Sequence, residues 1–113
     1  MATPSNHKDL HALVGRQLQE LGIPIHRHGY KQLCIAIPYY LENSTRSITK
    51  ELYPYVAKQF GCIDYRSVER SIRYAIRFAW SHRTCDAWEH LFSQSEKAPS
   101  NTLFIATIAE RIK

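Results

Sequence analysis

Apolar residues recur along most of this chain at intervals of three and four, the spacing that gathers them on one side of a helix. Leu10, Leu13, Val14, Leu18 and Leu21 mark a first helix over about 7–21, with Ser5 or Asn6 placed to cap it and Gly22 to stop it. Tyr30, Leu33, Cys34, Ile37 and Leu41 mark a second over about 29–43. Pro38 removes an amide donor inside it, which predicts a bend or a split. After the loop at 43–45, Ser47 or Thr49 can cap a short helix over 50–53. Pro54 suits the first position of a helix over 54–60, which Gly61 ends. Asp64 can cap a long helix over 65–81, and Asp86 with Glu89 has capping-box spacing for one over about 86–93. A polar loop follows. Ser100 or Asn101 then caps a last helix, 102–112, expected to bury Leu103, Phe104, Ile105, Ile108 and Ile112. The pattern predicts an all-α fold of about six helices, with residues 1–6 as a flexible tail and 7–113 as one domain.

The long helix carries the most information. Val68, Ile72, Ala75, Ile76 and Ala79 share one arc of it. Arg66, Glu69, Arg70, Arg73 and Arg77 share another, roughly 100° wide at 100° per residue and nearly opposite. One side is built to pack and the other to meet an anion. A guanidinium fork matches paired acceptors on phosphate or on the edge of guanine. Just before it, helix 54–60 and the turn at Gly61–Asp64 complete a helix-turn-helix order. Ala57 leaves room for a close crossing, and Gly61 allows a positive φ.

The charge distribution supports that reading. Residues 46–83 hold eight Lys/Arg against three acids, while the rest of the chain balances, so the whole net charge of +5 sits on one segment. Such a footprint is expected of a polyanion-binding face. Composition otherwise excludes little: 44% hydrophobic and 22% charged residues are ordinary for a globular chain of 113 residues. No apolar run is long enough to span a membrane and no signal core opens the chain, so a cytoplasmic, nucleoid-associated protein is expected. Cys34, Cys62 and Cys85 lack CxxC spacing and read as reduced thiols. His7 and His11 share a helix face without a third ligand, and His26 and His28 lie in a turn, so no metal or other cofactor is expected. Ser47 and Lys50 match the S-x-x-K of acyl-transfer enzymes, but the partner motifs are missing and no enzyme is expected.

The segment SITKELYPYVAKQFGCIDYRSVERSIRYAIRFAWS closely resembles the C-terminal DNA-binding domain of the sporulation initiation response regulator of spore-forming Firmicutes. SITK-x-LYP stands at 47–54, VER-x-IR at 68–73 and AI-x-x-AW at 75–80. LGIP-x-H-x-x-GY lies upstream over 21–30, and N-x-x-FIA downstream over 101–106. The resemblance covers roughly residues 8–112. It implies a six-helix effector domain that binds a short duplex DNA element, often as side-by-side copies on tandem sites. Carried over, it makes Glu69, Arg70 and Arg73 the base-reading residues. Arg70 and Arg73 would reach guanine, and Glu69 would accept from cytosine or orient an arginine. Arg66, Arg77, Lys50, Lys58 and Arg83 would hold phosphates, and Ser47 and Thr49 would either add phosphate contacts or simply cap.

This chain departs from the family pattern in three places. No receiver domain precedes the resemblance in this sequence, so the usual phosphorylation switch is expected either to be absent or to lie outside it. The loop after the second helix is shorter. The loop at 93–100 is also shorter, in a neighbourhood that the family uses to contact RNA polymerase, so the sigma subunit is a weaker expected partner than DNA. Two rival readings remain: a protein-interaction or anti-regulator module of the same fold, and a binder of RNA or of DNA without sequence preference. Glu69, Arg70 and Arg73 argue against the first, and the acid at position 69 argues against the second.

Overall fold

The computed structural model describes residues 7–43, 48–61, 64–84, 86–92 and 97–112. Among them are six α-helices and no strand: α1 (His7–Glu20), α2 (His28–Asn43), α3 (Tyr53–Phe60), α4 (Tyr65–Ser81), α5 (Ala87–Phe92) and α6 (Asn101–Ile112). The all-α fold agrees with the hydrophobic spacing. A five-residue π-helical turn, Ile48–Leu52, precedes α3.

Helix α2 runs through the middle and touches α1, α3, α4 and α6. It does so without splitting, although Pro38 lies inside it. The lost amide donor is tolerated because Leu33, Ala36, Ile37 and Pro38 are all buried on either side of the gap. Packing thus helps to keep α2 one continuous helix where a hydrogen bond is lost. At its start α2 approaches α4 very closely. A Cβ built on Gly29 would lie 2.5 Å from the Ser71 carbonyl oxygen and 2.6 Å from the Ala75 Cβ, so only glycine fits this crossing.

The core combines Val14 and Leu18 of α1, Val56 of α3, Val68, Ile72 and Ile76 of α4, and Phe104, Ile105 and Ile108 of α6. Trp88 of α5 is fully buried and closes the far end. Its indole donates to the Leu21 carbonyl at 3.0 Å, and its ring meets Trp80 edge-on at 5.6 Å. The two tryptophans pack the end of α4 against the C-terminal helices, with the Trp88 ring also 5.9 Å from that of Phe104.

Two local expectations are corrected, and of the two candidate caps for α6 one is selected. Leu103 is not buried but 51% exposed. The inward stripe of α6 is Asn101, Phe104, Ile105, Ile108 and Ala109, and position 103 falls outside that i, i+3, i+4 series. Ser100, not Asn101, caps α6, its hydroxyl accepting from the Leu103 amide at 3.1 Å. Helix α3 begins at Tyr53, so Pro54 is not its first residue. The chain enters α3 straight from the π turn through a helical Leu52, with no side-chain cap. The proposed capping residue Ser47 lies outside the described residues, as do Cys62 and Cys85.

Candidate nucleic-acid interface

Helix α4 is held by signals that its own sequence supplies. Asp64 caps it, with one carboxylate oxygen accepting from the Arg66 amide at 2.9 Å. That backbone bond, together with the Arg66 and Arg70 guanidinium charges, holds the Asp64 carboxyl below its ordinary pKa. Gly61 ends α3 with φ of 79°, the left-handed conformation of a glycine helix cap. Val68, Ile72, Ala75, Ile76 and Ala79 of α4 are buried, which fixes its rotation.

The opposite side faces solvent. Arg66, Arg70 and Arg77 are exposed along it. From Arg66 to Arg77 the helix rises about 16 Å, the length of roughly five base pairs. A helix about 10–12 Å across matches a major groove about 12 Å wide. Arg66 also lies 3.4 Å from Asp64, yet 72% of its side chain stays accessible, so that ion pair is a loose surface contact.

Glu69 and Arg73 form a tighter unit. Arg73 donates to the Glu69 carboxylate at 2.6 Å across one helical turn. The two side chains remain 43% and 30% exposed, respectively. Beneath them Asn101, the first residue of α6, donates to the Glu69 backbone carbonyl at 3.0 Å and to the Tyr53 hydroxyl at 2.9 Å. Burial pushes the Tyr53 hydroxyl above its usual pKa, so it stays neutral in this network. One amide side chain therefore clips α3, α4 and α6 together directly under Glu69. Glu69 thus holds the Arg73 guanidinium one turn along α4. A cleft of about 380 Å³ opens beside this unit, with Arg73, Arg77, Ser100 and Asn101 among its walls.

The remaining predicted residues lie elsewhere. Lys58 is exposed on α3, and Lys50 is exposed in the π turn that also contains Thr49. Arg83 does not join the arginine stripe. It folds back to close α4, donating to the Trp80 carbonyl at 2.7 Å with its guanidinium 3.8 Å from the Trp80 ring centre.

Two features escaped the reading of the sequence. Tyr74 and Phe78 form an exposed aromatic ledge beside the arginines, 63% and 36% accessible. Their positions on the helical wheel, between the charged arc and the core arc, could have revealed it. Arg27, from the turn before α2, lies over both rings at 5.7 Å and 5.9 Å, and no local pattern announces that contact.

Among the described residues no three His, Cys, Asp or Glu side chains gather as a metal site would require. No helix there is long and apolar enough to cross a membrane.

A short helix, a glycine turn and a second helix with packed and arginine-bearing sides define a helix-turn-helix domain. The model of the family described as sporulation initiation factor Spo0A C terminal matches residues 14–112. The chain belongs to that family, whose members are DNA-binding effector domains of response regulators rather than a class of enzyme.

Proposed function

We propose that this domain regulates transcription by binding specific duplex DNA sequences, with α4 lying in the major groove. Arg70 and Arg73 read guanine edges, and Glu69 aims Arg73 or accepts from a cytosine amino group. Arg66, Arg77, Lys50 and Lys58 hold phosphates and set the register of the helix without reading sequence. Ser47 and Thr49 add phosphate contacts or cap, and Arg83, engaged with Trp80, would have to release that contact to reach a phosphate. The observation that carries this reading is the division of α4. Its apolar seam is buried, while Arg66, Arg70 and Arg77 stand open to solvent over the opposite side. A protein-docking helix has no need of three accessible arginines flanking a Glu–Arg pair.

Side-by-side binding on tandem sites and a contact with the RNA polymerase sigma subunit belong to the same proposal. They rest on family membership, and DNA binding does not depend on them. Such a protein would work in the cytoplasm, at the nucleoid. Selection from random duplex DNA at two salt concentrations tests the reading. Enrichment of a short G-containing element that persists at the higher salt is expected. Recovery of unenriched sequence, or of nothing, would contradict it.

A further inference from the structure

We propose that Arg27, in the turn between α1 and α2, is a second grip on the DNA backbone. It holds a phosphate of the strand that runs along the Tyr74–Phe78 side of α4. The inference rests on the groove-binding reading of α4 and adds to it a contact outside the helix-turn-helix.

The turn is a rigid mount. The Ile23 amide donates to the Leu18 carbonyl at 3.0 Å, and the Arg27 amide to the Pro24 carbonyl at 3.2 Å. Ile23 is buried in the core. The Leu21 carbonyl is fixed by the Trp88 indole. Gly29, two residues after Arg27, lies in backbone contact with α4. Whatever Arg27 does is therefore done at a set distance from the recognition surface.

Its setting favours an anion. Arg27 is exposed, and its guanidinium lies over the rings of Tyr74 and Phe78. Aromatic faces restrict a guanidinium while leaving its N–H edge free to donate. Below it runs a cleft of about 460 Å³, with Arg27, Arg70, Tyr74, Ser71, His26 and His28 among its walls and no acid in its lining. Arg70, the candidate base reader, thus shares a cleft with Arg27. When a helix fills the major groove, the two sugar–phosphate backbones run along its flanks. The flank on the Arg73 side adjoins α6 and the cleft containing Arg77. The other flank is the aromatic ledge, and Arg27 is the cation that overhangs it. An acidic protein segment would also suit such a cleft. The geometry beside Arg70 favours a backbone phosphate.

The test is a salt titration of Arg27→Ala, Arg27→Lys and Arg70→Ala on a selected duplex and its scrambled counterpart. A melting curve for each variant confirms that it is folded. Arg27→Ala should lower the slope of log affinity against log salt by about one. At ~0.1 M salt this amounts to about eightfold weaker binding to both duplexes alike. Arg27→Lys should recover most of that loss, since a point charge suffices for phosphate. An Arg27→Ala variant with parental slope and affinity would overturn the proposal. If Arg70→Ala still lost base preference, the α4 reading would survive that result. Loss confined to the selected duplex would make Arg27 a base reader and would also overturn it. A parent protein that bound neither duplex would remove both claims.

Discussion

Gly29→Ala is the most revealing single change to the scaffold. A Cβ at this position would meet the Ser71 carbonyl oxygen at 2.5 Å and the Ala75 Cβ at 2.6 Å. Ordinary contacts between such atoms are about 3.5 Å, so α2 and α4 would have to part by about 1 Å. No rotamer change relieves this, because one obstacle is backbone and the other is a methyl with no freedom. Overpacking of this kind costs about 1–3 kcal/mol. The gain in helix propensity, at most about 1 kcal/mol, is only partly realised at the second residue of a helix. A net loss of about 1.5 kcal/mol lowers the melting temperature of a domain this size by roughly 6–12 °C. Gly15→Ala is the internal control. There a Cβ meets the Tyr30 hydroxyl oxygen at 2.9 Å, the movable end of a side chain. That change should be near neutral, with its propensity gain offsetting the small adjustment. Thermal unfolding followed by circular dichroism separates the two. If Gly29→Ala melted within about 2 °C of the parent, or if Gly15→Ala were the worse variant, the close-crossing argument would fail.

Two further predictions concern how α4 is held. Asn101→Leu removes the donor shared by Tyr53 and the Glu69 carbonyl and should cost about 1–3 kcal/mol in urea unfolding. A variant as stable as the parent would mean that the α3–α4–α6 clip contributes nothing. Asp64 has its carboxyl pKa depressed in the folded protein. Its stabilising contribution is therefore fully present above the unfolded carboxyl pKa and lost as pH falls through the lower folded value. Asp64→Asn, which can still cap, should flatten that part of the stability–pH curve; an unchanged acid limb would refute the assignment.

Much of this arrangement is legible in the chain because α4 is strongly two-sided and well punctuated. Asp64, Gly61 and the Val68–Ala79 seam fix its start, its approach and its rotation from local sequence alone. What escapes prediction depends on contacts between distant segments. Pro38 suggests a bend or a split, yet α2 does not split, with Ala36 and Ile37 buried beside the proline. Leu103 looks like core, yet the register of α6 is set by Asn101 and Phe104 reaching inward. Asn101 looks like a cap, but its side chain serves Tyr53 and Glu69, 48 and 32 residues away. The position of Arg27 over Tyr74 and Phe78 likewise needs the folded chain.

The central claim is that the arginine side of α4 reads bases. A binding comparison of Arg70→Ala and Lys58→Ala, each against a selected duplex and its scrambled form, tests it most directly. Arg70→Ala should lose about 1–3 kcal/mol on the selected duplex with little change on the scrambled one. Lys58→Ala should weaken both equally and lower the salt slope by about one. If Arg70→Ala weakened both duplexes equally, α4 would be gripping DNA without reading it, and the claim would be wrong.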